Sequence, residues 1–316
     1  MIFFLSRAKL KEAEIFVPGS KSESNRLLIL SSLYPNLSLA NLSNSDDSSY
    51  LLNSIDLKSS KIDIGHAGTA MRFLTSFIAL KCNSKVELRG SDRMHNRPIK
   101  ILVDSLIKIG ASIEYLEKEG YPPILIKPAK LKGGKISIYS SVSSQYISSL
   151  LLIAPKISGG LEIELLGKET SFPYINMTAD LLKKIGVNIN SEKNSFKVNE
   201  LRKINPVTIL IESDWSSASY YYSVVAMADI GYSLVLSDFR KDSIQGDSMV
   251  SEIYKSFGVK TVYKEDQIIL RKVKKNIIEL SLDLTSNPDL AQTICVTCLG
   301  LKMKCNLTGL HTLKIK

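Results

Sequence analysis

Hydroxyl and cationic side chains gather where several helices are predicted to begin. The first group is "VPGSKSESNR", residues 17–26, directly before the apolar run "LLILSSLY". Lys21 lies in the predicted turn, while Ser22 and Arg26 are four residues apart and would share one helix face. Because the first helical turn has unpaired N–H groups and a positive dipole end, these residues could hold a phosphate or carboxylate. A helix capped by Ser22 or Ser24 is the alternative interpretation.

Two further segments have the same character. In "GHAGTAMR", residues 65–72, Gly68 would let a ligand approach the backbone closely, and a tight turn into a helix is the alternative. In "GSDRMHNRP", residues 90–98, Arg93 and Arg97 precede a proline that favours a helix start. Two guanidinium groups at such a place suit bidentate binding of a carboxylate or phosphate.

The last two groups add amides and a carboxylate. "SVSSQY" places Ser143, Ser144 and Gln145 at a predicted helix start, which is more polar groups than one N-cap needs. "SNPDLAQT" places Asp289 directly after a proline, where it could stabilise the helix end or accept a proton. Together the five groups predict a site for small anions with a carboxylate available for proton transfer.

A repeat positions these groups along the chain. "ILVDSLIKIGASIEY", "MTADLLKKIGVNIN" and "MVSEIYKSFGVKTVY" each indicate an amphipathic helix, a glycine at its C-terminus and then a strand. The interval of more than 70 residues is too long for a solenoid and is typical of a repeated multi-element unit. We therefore predict an α/β or α+β protein with two pseudo-symmetric lobes, in which apolar helices are buried and sheets lie outside them. The polar stretch 190–208 is predicted to be the loop that crosses between lobes.

Composition excludes several classes of protein. The net charge is +10, but the lysines are scattered and no basic strip with aromatic residues occurs, so we expect no nucleic-acid partner. No apolar run reaches the roughly 20 residues of a membrane helix, and the N-terminus lacks a signal-peptide core, so a cytoplasmic location is expected. Cys295 and Cys298 form a CxxC without a second ligand pair, and we expect buried thiols and no metal site.

The sequence resembles the enolpyruvyl transferase family, in its 3-phosphoshikimate 1-carboxyvinyltransferase (EPSP synthase) branch. The resemblance is carried by "PGSKSESNR", "GHAGTAMR", "DRMHNRPI", "SVSSQY", "SFPYI", "ESDWSSASYY", "SIQGD" and "NPDLAQT", in family order over essentially the whole chain. It implies two lobes of repeated βαβαββ units that close over the substrates, an inside-out α/β barrel. One lobe would comprise residues 20–211, and the other residues 1–19 with 212–316, its last unit incomplete.

The resemblance also implies a reaction. The enolpyruvyl group of phosphoenolpyruvate is transferred to the 5-hydroxyl of shikimate 3-phosphate and phosphate is released, with no metal or other cofactor, by an expected monomer. The catalytic residues would be Asp289, as acceptor of the hydroxyl proton, and Lys21, which faces both substrates. The implied ligands of shikimate 3-phosphate are Lys21, Ser22, Arg26, Ser143, Ser144, Gln145, Ser171, Asp289 and Lys316. Those of phosphoenolpyruvate are Lys21, Gly68, Arg93 and Gln145.

The sequence departs from the family pattern in four ways. His66 stands where many members have Asn, Phe73 where many have Pro, and Thr312 where some have Asn. The sequence ends at Lys316, where the family continues with further phosphoenolpyruvate ligands. The alternative function is therefore a truncated or inactive relative that only binds anionic ligands, and residues 1–316 alone are expected to be poorly active.

Three rivals remain at the level of sequence. The sister enzyme that acts on a UDP-sugar has a Lys-Asn start motif and a reactive loop cysteine, and neither is present. RNA 3′-phosphate cyclase shares the repeat, but the three histidines lack the context of its catalytic histidine. A polyanion-binding protein would use the net charge, and steep salt dependence of nucleic-acid binding would distinguish it.

Overall fold

A computed structural model describes residues 13–139, 143–167, 172–192, 194–275, 277–310 and 313. The helices are α1 (Lys21–Leu33), α2 (Asp46–Ser54), α3 (Gly68–Lys81), α4 (Asp92–His95), α5 (Lys100–Lys108), α6 (Ser144–Ile153), α7 (Phe172–Lys184), α8 (Trp215–Met227), α9 (Val250–Ile253) and α10 (Ala291–Gly300). The strands are β1 (Glu14–Phe16), β2 (Leu37–Ala40), β3 (Lys61–Asp63), β4 (Val86–Arg89), β5 (Ser112–Tyr115), β6 (Ile124–Lys127), β7 (Gly134–Tyr139), β8 (Leu161–Leu166), β9 (Ile189–Glu192), β10 (Ser195–Val198), β11 (Val207–Leu210), β12 (Ser233–Ser237), β13 (Val259–Lys264), β14 (Gln267–Lys272), β15 (Glu279–Asp283) and β16 (Lys304–Thr308). Short 3-10 helices lie at Ala154–Lys156, Gly246–Met249 and Pro288–Leu290.

The chain divides into two compact units. One is the continuous segment Gly19–Ile211, called here the continuous unit. The other combines Met1–Pro18 with Glu212–Lys316 and is called here the split unit. Each unit contains its own sheets, because no strand ladder joins a strand of one unit to a strand of the other among the described residues.

Two sheets of the continuous unit have the same topology. Their strand orders are β3-β4-β6-β5 and β7-β8-β10-β9. In each sheet the first two strands are parallel and joined through a helix, α3 or α6. A second helix then leads into an antiparallel hairpin that completes the sheet. Each sheet with its helices is therefore one βαβαββ unit, and the predicted α/β class with a repeated unit is confirmed.

The third sheet of the continuous unit is smaller. It consists of β2 and β11, which pair in parallel. Helix α1 precedes β2 and α2 follows it, as the repeat requires, but only residues 55–60 connect α2 to β3. These described residues are too few for two strands, so this repeat has no hairpin where the resemblance implied one.

The split unit uses the same arrangement. Its larger sheet has the order β1-β12-β14-β13, with β1 and β12 parallel and β13–β14 as the antiparallel hairpin. A second, parallel pair is formed by β15 and β16, with α10 between them in the chain. Helix α10 thus occupies the same place in its repeat as α3 and α6 do in theirs.

The repeat glycines end their helices in one common way. Gly110, Gly186 and Gly258 have φ angles of 104°, 95° and 77°. After each glycine, the next N–H group bonds the carbonyl five residues back, at 3.0 Å. This is the Schellman motif, in which the left-handed residue is nearly always glycine because a Cβ would be strained. The predicted helix-glycine-strand repeat is confirmed at these positions.

The polar stretch 190–208 is a loop only at residues 199–206, whereas most of its other described residues lie in strands, contrary to the prediction. It contains most of β9, all of β10 and the start of β11. Only alternate side chains of β10 are buried, Phe196 and Val198, while the rest of the hairpin faces solvent. An edge hairpin with one narrow apolar face has the composition of a loop, which explains the error.

Apolar helices lie at the centre of the continuous unit. Helices α1, α3, α6 and α7 contact one another, and α3 and α6 bury residues on most of their faces. The split unit has its own core, in which Trp215 and Phe239 meet edge to face with ring centroids 4.8 Å apart. Among the described residues, no helix has both the length and the apolar character needed to cross a membrane.

Candidate functional site

Helix α1 carries the first predicted group. Ser20 caps the helix by accepting a bond from the Glu23 N–H at 3.4 Å, so neither Ser22 nor Ser24 is the cap. Lys21 is exposed and Ser22 half-buried in the first turn. Since the capping function belongs to Ser20, the side chains of Lys21 and Ser22 stand at the helix N-terminus without serving as its cap.

Arg26 lies one turn further into α1 and is buried. Its Nη1 donates to the Ser22 carbonyl at 2.8 Å, which confirms that these two residues share a face. Its Nε donates to Thr178 at 2.7 Å, and Nη2 donates to Ser148 at 3.1 Å and to the Tyr174 carbonyl at 3.0 Å. These contacts use four of five N–H donors. Arg26 therefore ties α1 to α6 and α7 and holds Ser22 in place.

The N-terminus of α3 is covered by an arginine. A Cβ built on Gly68 would lie 2.3 Å from Nη1 of Arg97, so the absent side chain leaves room for this guanidinium. The N–H of Thr69, the next residue, donates to Asp47 at 3.3 Å. Gly68 thus lets Arg97 approach the helix end, where the sequence predicted the approach of a ligand.

A group of cations surrounds that helix end. Burial lowers the pKa of Arg97; the Asp47 carboxylate opposes this shift, and the positive charge of Arg93 adds to it. Burial likewise lowers the pKa of Arg72 to about 10, and Arg97 is among the charges acting on it. Positive groups that lower one another's pKa would each be relieved by a bound anion. The Asp47 carboxylate offsets part of this positive charge, and the three arginines make this helix end a candidate site for a phosphate or a carboxylate.

Arg93 is exposed on the short helix α4, which the sequence did not predict. Ser91 caps this helix through the Met94 N–H at 3.4 Å. Helix α5 begins at Lys100, so Pro98 is not its first residue as expected. Arg93 and Arg97 nevertheless lie close enough for their charges to interact.

Helix α6 links the other groups. Ser143 caps it by accepting a bond from the Gln145 N–H at 3.2 Å, as the sequence predicted for one of these serines. The side-chain amide of Gln145 donates to Thr69 on α3 at 3.3 Å. One turn further, Ser148 accepts the bond from Arg26 on α1. Contacts of α6 thus join the N-terminal regions of α1 and α3, and Ser144 lies half-buried between its two neighbours.

In the split unit, Asp289 lies in the 3-10 turn Pro288–Leu290 that leads into α10, the predicted kind of position. Its side chain is exposed. Asn287, in contrast, is buried and donates from Nδ2 to Asp247 at 3.3 Å. The turn that carries Asp289 is therefore anchored through the side chain two residues earlier.

Two buried carboxylates of the split unit were given no role from the sequence. Asp247 bonds the turn that carries Asp289 through Asn287, and Glu212 bonds Trp215 in the first turn of α8. Burial raises the pKa of Asp247 to about 6; the bond from Ser216 lowers it and the Asp289 charge raises it further. Burial also raises the pKa of Glu212, which accepts bonds from Ser243 at 2.6 Å and from Trp215 Nε1 at 2.8 Å. Asp247 is the last residue of "SIQGD" and Glu212 is the first residue of "ESDW", two motifs that carried the resemblance. Membership in these motifs was the signal in the sequence that could have identified them.

The remaining predicted residues have different outcomes. Ser171 and Lys316, together with Thr312, lie outside the described residues. Cys298 is buried as expected, and burial with the neighbouring Cys305 thiol raises its pKa to about 12. Cys295 is exposed, contrary to expectation, because it lies on the solvent face of α10 beside Val296. No group of His, Cys, Asp and Glu side chains in the described part of the chain is arranged to hold a metal ion.

Comparison with protein families gives one match over most of the chain. The family described as EPSP synthase (3-phosphoshikimate 1-carboxyvinyltransferase) matches residues 48–316. A 3-phosphoshikimate 1-carboxyvinyltransferase of Bacteroides fragilis (strain YCH46) is 39% identical over 317 residues, which cover 100% of this chain and 77% of the relative. One of Actinobacillus pleuropneumoniae serotype 5b is 36% identical and covers 96% of this chain and 77% of the relative.

A solved structure has the same fold. The EPSP synthase from Acinetobacter baumannii superimposes with a TM-score of 0.74 at 19% sequence identity. The alignment covers 91% of this chain and 71% of that chain. At this identity the likeness concerns the fold, and it agrees with the mixed α/β architecture described above.

Proposed function

The chain belongs to the EPSP synthase family, and we propose that the residues at its helix N-termini carry out that family's reaction. The reaction transfers the enolpyruvyl group of phosphoenolpyruvate to the 5-hydroxyl of shikimate 3-phosphate and releases phosphate. It belongs to aromatic amino-acid biosynthesis by way of chorismate. Both substrates are small anions, as the cation-rich helix ends of the continuous unit require.

The observation that carries the residue assignment is the linkage of three helix N-termini within the continuous unit. Gln145 bonds Thr69, Arg26 bonds Ser148 and Ser22, and Arg97 covers Gly68. A set of cations and hydroxyl groups at linked helix ends supports binding of more than one anionic group. Lys21 and Arg93 are exposed, so their charges are accessible to a ligand.

We assign shikimate 3-phosphate to Lys21, Ser22, Ser143, Ser144 and Gln145. Arg26 belongs to the same group, but its four bonds to protein indicate that it mainly orients Ser22 and α6. By resemblance, Ser171, Lys316 and Asp289 also belong to this set.

We assign phosphoenolpyruvate to Lys21, Gly68, Arg93 and Gln145. The guanidinium of Arg93 suits a bidentate contact with a carboxylate or phosphate. Gly68 contributes by admitting Arg97 to the end of α3, which adds positive charge next to Arg93.

The chemistry needs both a cation and a base. The methylene carbon of phosphoenolpyruvate gains a proton while C2 becomes cation-like, and the 5-hydroxyl oxygen then attacks C2. Asp289 accepts the hydroxyl proton as the new C–O bond forms, and the tetrahedral intermediate then loses phosphate together with one proton of its new methyl group, which restores the C=CH₂ double bond. The Lys21 ammonium stabilises the anionic groups of both substrates during these steps.

We further propose a cytoplasmic monomer whose two lobes are residues 20–211 and residues 1–19 with 212–316. The four cysteines are free thiols, which suits a reducing compartment. Light scattering after size exclusion, with an expected mass of one chain, tests the monomer.

Calorimetric titration tests the binding assignment. Shikimate 3-phosphate should bind one saturable site, and Arg93→Ala should leave that affinity within about threefold while it weakens phosphoenolpyruvate strongly. Arg89→Ala is the matched control, because Arg89 lies on β4 and pairs with Glu87 at 3.4 Å. Absence of saturable shikimate 3-phosphate binding, with steeply salt-dependent nucleic-acid binding instead, would favour the polyanion-binding rival.

A further inference from the structure

Asp247 has no role in the reaction as assigned so far. It lies in the 3-10 helix Gly246–Met249 and only 5% of its surface is exposed. Its carboxylate accepts a bond from the Ser216 hydroxyl at 2.5 Å and from Asn287 Nδ2 at 3.3 Å. One buried carboxylate therefore joins the first turn of α8 to the turn that carries Asp289.

The charged surroundings of Asp247 are negative. The charges that act on it most strongly are Asp289, on the turn before α10, and Asp214, at the N-cap of α8. A buried carboxylate beside like charges costs stability, and two hydrogen bonds compensate only part of that cost. Its pKa is accordingly raised to about 6, chiefly by burial. Such a costly arrangement at an assigned catalytic base calls for a functional explanation.

We propose that Asp247 is a positioning residue for Asp289, which fixes the turn that carries it and places a second negative charge beside it. The proposal rests on the proposed role of Asp289 as proton acceptor. It adds no new group that touches the substrate, since Asp247 acts through Asn287 and through its own charge.

The charge has a direct effect on the proton transfer. As the 5-hydroxyl oxygen attacks C2, its O–H bond breaks, that electron pair remains on oxygen, and the proton moves to Asp289. Asp289 then becomes neutral and its repulsion with ionised Asp247 disappears, so ionised Asp247 favours the transfer. When Asp247 is itself protonated, this assistance is lost. We therefore expect turnover to increase as Asp247 ionises near pH 6.

The coupling can be measured without substrate. Carboxyl ¹³C shifts of aspartate-labelled protein should show Asp247 titrating near pH 6 in the wild type. Asp289→Asn should lower this pKa by about half a unit or more, because it removes a like charge. Asp266→Asn is the control, since Asp266 is an exposed aspartate of the same unit in the β13–β14 turn. An Asp247 pKa that is equal in Asp289→Asn and the wild type overturns the proposal.

The positioning role has its own readouts. Asp247→Asn should lower kcat by about tenfold or more and abolish the rise of kcat near pH 6, while the Kd of shikimate 3-phosphate changes less than about threefold. Asn287→Ala should lower kcat but retain that rise, because it frees the turn and keeps the charge. An unchanged kcat–pH profile in Asp247→Asn overturns the proposal.

The two proposals can fail separately. If Asp247→Asn does not fold, the titration of Asp247 in the wild type and in Asp289→Asn still shows whether the Asp289 charge shifts the pKa of Asp247. If the coupling is present but Asp289→Asn turns over normally, Asp289 is not the proton acceptor, and the positioning role is overturned with it. If Asp289→Asn is inactive and no coupling is seen, the proposed function stands and only the role of Asp247 is overturned.

Discussion

The two units differ in how many cations stand at the N-termini of their helices, although the continuous unit also has a carboxylate there, because Asp47 accepts the Thr69 N–H at the start of α3. In the continuous unit, cations and neutral donors stand near the ends of α1, α3 and α6, represented by Lys21, Arg97 and Gln145. In the split unit, carboxylates occupy the equivalent places: Asp214 caps α8 through the Ser217 N–H at 2.7 Å, and Asp289 precedes α10.

We expect this difference to separate the two tasks of the proposed reaction. A helix N-terminus surrounded by several cations can attract an anionic ligand, whereas one whose only charged neighbour is a carboxylate is satisfied internally. The continuous unit is therefore suited to bind phosphate and carboxylate groups, and the split unit is suited to supply a base. The repeated architecture places a helix start after a strand in both units, so the residues at these junctions can differ while the arrangement of elements is retained.

The largest expected effect comes from removing the cation at the end of α1. Lys21→Ala should lower turnover by at least about 10³-fold, because no other exposed ammonium stands in the first turn of α1. Lys21→Arg should restore little, since a planar guanidinium does not replace a compact ammonium. Steady-state phosphate release measures both variants, and near-normal release by Lys21→Ala would remove the residue from the catalytic set.

Removing the charge of Arg93 should affect one substrate. Arg93→Ala should weaken phosphoenolpyruvate binding by roughly 2–5 kcal/mol, because an anion loses its partner. Shikimate 3-phosphate binding should change little, and Arg89→Ala should leave both affinities intact. Equal weakening of both substrates would indicate that Arg93 is structural, and calorimetry distinguishes the two results.

The buried carboxylate of the split unit should make stability depend on pH. Because its pKa is raised from 3.8 to about 6, folded Asp247 retains its proton where the unfolded chain has lost it. The free energy of unfolding should therefore decrease by on the order of 2 kcal/mol as pH rises from about 4 to above 6. Asp247→Asn should remove this decrease in urea unfolding series, whereas Asp266→Asn should retain it.

The smallest expected effect concerns Gly68. Its Cβ would displace only the flexible end of Arg97, so Gly68→Ala should cost about 1 kcal/mol of stability or less. Phosphoenolpyruvate affinity should nevertheless fall about tenfold, because Arg97 no longer reaches the end of α3. In the Arg97→Ala background, Gly68→Ala should have little further effect. Additive losses in this double-mutant cycle would show that the methyl group acts on the ligand directly.

The sequence was sufficient to predict features that depend on residues close together in the chain. Helix ends at Gly110, Gly186 and Gly258 follow from one local motif, and the cap at Ser143 follows from a serine before an apolar run. The family resemblance then supplied the fold and the reaction. The locations of Lys21 and Asp289 at helix starts could be predicted for the same reason, whereas the short helix α4 that carries Arg93 was not predicted.

Features that depend on contacts between residues far apart in the chain could not be predicted from the sequence. Asp247 bonds Asn287 forty residues away, and no local pattern indicates that partner. The guanidinium above Gly68 comes from Arg97, on a segment that follows the next strand. Exposure of Cys295 depends on which face of α10 meets the core, and this apolar helix has no clear polar stripe to indicate it.

The central claim is that the split unit supplies the base and the continuous unit supplies most of the anion-binding residues, and Asp289→Asn tests it most directly. Asn keeps the shape and the helix-end compatibility of Asp but does not accept the proton. Turnover should fall by about 10²- to 10⁴-fold, while the Kd of shikimate 3-phosphate and the melting temperature stay close to wild type. Asp266→Asn should behave as wild type in all three measurements. Preserved turnover in Asp289→Asn, with or without a change in melting temperature, would contradict the account.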